Sequence, residues 1–247
     1  MRLLVPDVEA ARALAQTWAE GASPVSGWET ASLAEAERAL RAGHAELGFV
    51  PTLSVLRDPE AFSVVPGVGL VGGAAEPVWL TVHGALDAIQ RVGFDPRYAQ
   101  EVLLAQVILK ELYQAQPAFV PLVPGKPAPS DLDAVLQVGG EEPSGGYVMN
   151  LGHEWFELTT RPFVWALLAA PVGTIEPHEA KGLQDAALDR APEPDALTTD
   201  PSVGGMTLAG WAHAGLDEWV NHLFYHGTLI DMPEIPFVVV PVDDEDE

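Results

Sequence analysis

Cysteine is absent from the 247 residues. That excludes disulfides, thiolate metal sites and cysteine nucleophiles, while leaving the redox compartment open. Positive charge is scarce: 12 Lys and Arg stand against 36 Asp and Glu, a formal net charge of −24. Such a field repels a phosphate backbone and an anionic membrane surface, and no basic stripe interleaved with aromatics offsets it, so no nucleic acid partner is expected. Long apolar runs are missing as well. Nothing reaches the 18 or so residues of a spanning helix, and MRLLVPDVEA lacks the apolar core and cleavage site of a secretory signal. The expectation is a soluble cytoplasmic protein with no membrane insertion. The closing Asp243–Glu247 run reads as a solvated acidic tail, with an interaction tail as the alternative.

What is present is enough apolar material, 48% of residues, for one large domain or two lobes. Strand-like Arg2 to Val5 leads past Asp7, a candidate cap, into a helix over Val8 to Ala19. A strand over Val25 to Glu29 follows, and Ser32 with Glu35 has the spacing of a capping box for a helix that Gly43 stops. Glu46 to Val50 and Phe62 to Val71 read as strands, and Val78 to Val82 opens a second unit. There Asp95-Pro96 reads as a cap and first helical residue for a helix reaching about Tyr113, which would put Arg97 in its first turn. Phe119 to Val123, Leu132 to Val138 and Tyr147 to Asn150 read as strands, followed by a brief helix around Trp155 and an apolar strand from Phe163 to Ala169. Asp189 to Gly205 reads as a loop, and Thr207 to His226 as a final helix. Alternation of this kind implies an α/β fold with mostly parallel sheets.

Catalytic signatures are lacking. His222 and His226 are four apart, but no HExxH pattern or third ligand accompanies them, so no metal is assigned. The glycines at 67, 69, 72 and 73 do not form a dinucleotide loop, and Gly139-Gly140 is followed by Glu141-Glu142, which would repel phosphate. Ser144 and Ser202 stand outside any nucleophile elbow. In so acidic a chain the arginines are more informative. Arg97 and Arg161 are candidate bidentate anchors for a ligand carboxylate, with pairing to a neighbouring acid as the alternative for each. His153, Glu154 and Glu157 can serve proton transfer if folded into one pocket, or simply form a polar helix face.

The run Asn150-Leu151-Gly152-His153-Glu154-Trp155, with Thr159-Thr160-Arg161-Pro162-Phe163-Val164 after it, resembles the chorismate dehydratases of menaquinone biosynthesis by the futalosine route. Further segments agree in order: Glu46-Leu47-Gly48-Phe49-Val50, Val102 to Tyr113 with Pro117-Ala118-Phe119, Leu132 to Gly139, and Phe224 to Ile230. The resemblance covers most of residues 33 to 238 and implies a two-lobed periplasmic-binding-protein-like fold, type II. The first lobe would be discontinuous, 1–77 plus 165–247, with 78–164 inserted, and Asn150 to Arg161 would approach the interlobe cleft.

It also implies a cofactor-free carbon–oxygen lyase that removes water from chorismate to leave an enolpyruvyl benzoate. Arg97 and Arg161 would then anchor carboxylates, Asn150, Thr159 and Thr160 would line the ligand, and Glu154 would act as acid or base. The chain departs from the family at several points. A usual Asn-containing segment after the first strand is replaced by Pro6-Asp7, and the helix beginning near Asp95 lacks the usual Ser or Thr. Thr160 stands for a usual glycine, Arg161 for a leucine and Gly140 for an aspartate. Two other readings therefore stand beside the enzyme: a noncatalytic binder of a small carboxylate or aromatic ligand, and a structural or interaction protein with a decayed cleft. A homodimer is compatible with the sequence.

Overall fold

Apolar strands and amphipathic helices alternate along the chain, and the computed structural model of the protein sorts them into two units, Met1–Ala75 with Val164–Glu247, and Glu76–Phe163. The structure describes residues 1–123, 126, 129–192, 196 and 199–241. The acidic run 243–247 and parts of the expected loops at 124–131 and 189–205 lie outside the described residues.

In the first unit the described strands are β1 (Arg2–Val5), β2 (Gly27–Thr30), β3 (Leu47–Pro51), β4 (Phe62–Gly72), β10 (Val164–Pro171) and β11 (Gly204–Thr207), in sheet order β11-β4-β10-β3-β1-β2. Helices α1 (Glu9–Glu20), α2 (Leu33–Arg41), α3 (Thr52–Arg57), α6 (Pro177–Leu188) and α7 (Trp211–Tyr225) accompany them. Ser32 and Glu35 close the expected capping box on α2, and Gly43 takes φ +70° just beyond it, a conformation that costs glycine little. Asp7 does not cap α1; Val8 holds that position, and Asp7 pairs with Arg12. β10 is buried at every residue from Val164 to Ala170, as its place between β4 and β3 requires.

The second unit holds β5 (Val78–Val82), β6 (Arg91–Phe94), β7 (Ala118–Pro121), β8 (Ala134–Val138) and β9 (Tyr147–Asn150), in order β7-β6-β8-β5-β9, with α4 (Ala99–Tyr113) and α5 (Leu151–Thr159). The expected mostly parallel sheets are not what forms. β1–β2, β1–β3, β6–β7 and β6–β8 are parallel, but β10–β3, β10–β4, β11–β4, β5–β8 and β5–β9 are antiparallel. The reason is connectivity. The strand on which the chain re-enters the first unit runs against both its neighbours, and β5 and β9 at the start and end of the insertion are antiparallel partners. Strand–helix alternation in sequence cannot reveal an inserted unit's return strand.

Candidate functional site

The polar residues between Asn150 and Arg161 have local tasks. Asn150 caps α5: its side-chain oxygen accepts from Gly152 N–H at 2.9 Å and His153 N–H at 3.4 Å. At the other end, Thr159 Oγ1 donates to the Trp155 carbonyl at 2.8 Å and accepts from Arg161 N–H at 3.1 Å. Thr160 follows in the left-handed region at φ 56°, where the chain leaves the helix. The Arg161 guanidinium reaches back to the Thr160 carbonyl at 3.3 Å. These four candidate ligand residues thus mark the two ends of one short helix. Trp155 is fully buried between them and meets Phe163 edge-on at 5.3 Å.

Glu154 accepts the phenol O–H of Tyr113 at 2.6 Å. Burial pushes the Tyr113 phenol above its ordinary range, and the hydrogen bond to Glu154 adds to the effect. Tyr113 is the last residue of α4, whereas Arg97 lies just ahead of its first. A 15-residue helix, about 21 Å of rise, separates them. The candidate acid/base and one candidate carboxylate anchor therefore sit at opposite ends of α4.

Arg97 precedes the helix rather than lying in its first turn. α4 opens at Ala99, with Tyr98 as a cap that makes no side-chain hydrogen bond, and Asp95 turns inward on Arg97 instead. Asp95 Oδ1 accepts the Arg97 backbone N–H at 3.0 Å, and the guanidinium forks onto both carboxylate oxygens at 2.6–3.1 Å. Those hydrogen bonds hold the Asp95 carboxyl below its usual range. The same guanidinium lies 5.6 Å from the Tyr98 ring centroid.

Two further residues belong to this end of α4, and neither was singled out from the sequence. Gln100 and Glu101 are both buried in the first turn, although Ala99 beside them is exposed. Burial pushes the Glu101 carboxyl up to about 7, opposed only by a hydrogen bond with its own backbone N–H. That N–H is one of the four at a helix start with no partner inside the helix, so the carboxyl group is folded back toward the N-terminal end. Glu101 was hidden because its glutamate reads as an ordinary first-turn acid. Glu76 comes near as well, acting electrostatically on Tyr98 and lying against Gly139, whose φ of +73° and missing Cβ leave room for the carboxylate. Among the described residues no group of three or more His, Asp and Glu is placed to hold a metal ion.

The sequence profile described as Menaquinone biosynthesis matches residues 30–191, well over half of the chain. The chain belongs to the menaquinone biosynthesis family. Within that family its architecture is periplasmic-binding-protein-like and two-lobed, as structural comparison shows. The ligand-binding component of an ABC-type import system from Staphylococcus aureus superposes with a TM-score of 0.60 at 13% identity, over 97% of this chain and 96% of that one. The periplasmic aliphatic sulphonate binding protein of Escherichia coli gives 0.56 at 14%, over 95% of each chain. A protein from Archaeoglobus fulgidus gives 0.54 at 14%, over 92% and 98%. No curated protein matches the sequence. For this family member the cytoplasmic placement expected from the lack of a secretory signal and of a spanning run does not stand. The same fold serves a periplasmic binding protein and an import component, so a chain built this way is not thereby cytoplasmic. No described helix is long and apolar enough to cross a membrane.

Proposed function

We propose that this member of the menaquinone biosynthesis family is a noncatalytic binding protein for a small carboxylate or aromatic ligand, received at the start of α4. One observation carries the reading. The exposed Arg97, just ahead of a 15-residue helix whose cap makes no side-chain hydrogen bond, and the buried Glu101 of its first turn stand together at that end, while Glu154 is tied to Tyr113 at the other. The positive end of a helix dipole and a guanidinium suit an anion. The candidate acid/base Glu154 is about a helix length from that end. The shared fold with ligand-binding components supports the same reading.

The second reading is a chorismate dehydratase, favoured by the family match over residues 30–191. In it Arg97 and Arg161 orient the two carboxylates, Asn150, Thr159 and Thr160 line the ligand, and Glu154 moves the proton as water leaves. Purified protein incubated with chorismate, followed by calorimetry and mass spectrometry, separates the two. Saturable heat with no product supports binding. Protein-dependent loss of one water from chorismate establishes the lyase and rejects the binding reading. Neither heat nor product rejects both.

A further inference from the structure

The two edges of β4 are covered in different ways. Along one, β4 pairs with β10 from Phe62 to Val71. Along the other, β11 meets only the stretch from Val68 to Gly72. Further back on that edge, Val64 is taken by residues 235–238, which follow α7 and belong to no named strand. Val64 N–H donates to the Pro236 carbonyl, and Val238 N–H donates to the Val64 carbonyl, each at 2.9 Å, so Phe237 pairs with Val64 in parallel. Ile235 and Phe237 pack on the core cluster that holds Val64, Leu208, Ala212 and Leu216, and Phe237 meets the His213 ring at 6.1 Å. Main-chain bonds and alternate side chains thus add this segment to the sheet as a short strand is added. The connector before it has the opposite character. Ile230 is 98% exposed, more than any other large apolar side chain described, and Met232 is 47% exposed. Met232 and Ile235 each precede a proline, which favours extended backbone over a tight return.

We propose that residues 235–238 exchange between two copies of this chain, each copy adding its segment to the β4 edge of the other. The exchanged segment makes the same bonds and the same core contacts in either copy, so the dimer keeps the whole interface of the closed monomer. What is new lies at the connectors. They pass each other where the copies join, and there Ile230 and Met232, open to water in the single chain, are covered by their counterparts. The partner is a second copy because the segment that fits this edge is already carried by every chain. Repulsion between two chains of formal charge −24 opposes the pairing. Salt limits that repulsion to a range of about 8 Å at physiological ionic strength and leaves the backbone bonds and apolar contact in place. Exchange therefore rises with both concentration and salt. The inference is independent of what α4 receives.

The experiment uses the absence of cysteine. Val64→Cys and Phe237→Cys together put the chain's only two thiols at paired positions, within reach of a disulfide. The full chain carrying both changes, checked for folding by its melting transition, is made in ordinary and isotopically heavy forms. Equal amounts are mixed in high salt at about 1 mM, held reduced until light scattering is steady, and then oxidised. The expected result, read by mass spectrometry, is linked peptides that join one ordinary and one heavy half. Linked peptides whose halves always share one isotope overturn the exchange, even where scattering shows a dimer. On the parent protein, light scattering between about 10 μM and about 1 mM shows monomer giving way to dimer. Ile230→Asp, at an exposed position, weakens that dimer roughly tenfold or more. A parent protein that stays monomeric over the whole range overturns the proposal whether or not the double variant folds, and an Ile230→Asp dimer of undiminished affinity overturns the connector contact.

Discussion

Tyr113 donates its phenol O–H to Glu154 at 2.6 Å, fastening the last residue of α4 to the first turn of α5. Replacing Tyr113 with phenylalanine leaves a half-buried carboxylate without this donor, at a cost of about 1–2 kcal/mol in urea denaturation. The raised phenol also sets an alkaline limit. A folded-state value above the unfolded one means that stability present below the ordinary tyrosine range is lost as pH rises through and beyond it. In Tyr113→Phe, that alkaline loss is reduced. An unchanged alkaline profile would assign the limit to other groups.

Glu101 makes the acidic counterpart measurable without any ligand. Its folded value of about 7 lies above the ordinary 4.5, so the folded state holds a proton that the unfolded chain releases. Stability is therefore greatest below pH 4.5 as far as this group is concerned, and falls between 4.5 and about 7, by on the order of 3 kcal/mol. Glu101→Gln removes that fall. Denaturant midpoints at pH 5 and 7.5 for the two proteins provide the comparison, and parallel profiles would show that Glu101 does not carry the effect.

Arg97 and Asp95 form an exposed pair whose loss costs less than about 0.5 kcal/mol of stability. Their effects on binding should have opposite signs. Arg97→Ala weakens chorismate or benzoate binding roughly tenfold or more, because a guanidinium partner is lost. Asp95→Ala strengthens it, because the competing carboxylate is gone. Titration calorimetry on both variants reads this directly, and equal affinities throughout would remove Arg97 from the ligand.

The ends of α5 supply a pair of stability tests. Asn150→Ala costs about 1 kcal/mol through the lost cap. Thr160→Gly gains about 0.5–1 kcal/mol, since a β-branched residue at φ 56° is strained where glycine is not. Thermal melts suffice, and a destabilised Thr160→Gly protein would contradict the strain.

The glycine that the resemblance expects at position 160 has its explanation in that left-handed turn, a feature of backbone geometry rather than of the ligand. Residue types were legible here; roles were not. The capping box at Ser32 and Glu35 and the strand at Val78–Val82 follow from local spacing, and both form as expected. Asp95-Pro96 carries an equally good local signal, but Asp95 meets Arg97 first and the helix starts at Ala99. Gln100 and Glu101 escaped notice because burial of a first-turn polar residue depends on what packs over it, which no spacing records. β6, a strand of four residues, and the antiparallel return of β10 are likewise settled by distant partners.

The position of β10 has a consequence for the order in which the chain can mature. The central strand of the first unit's sheet is made only after the whole of residues 76–163, so β3 and β4 have no common partner until Val164 onward arrives. A nascent chain halted before that point exposes two unpaired apolar edges, Leu47–Pro51 and Phe62–Gly72, open to pairing with other chains. The inserted unit is continuous in sequence and can close its own sheet first. Synthesis therefore favours a nested sequence in which the part made second finishes before the part made first.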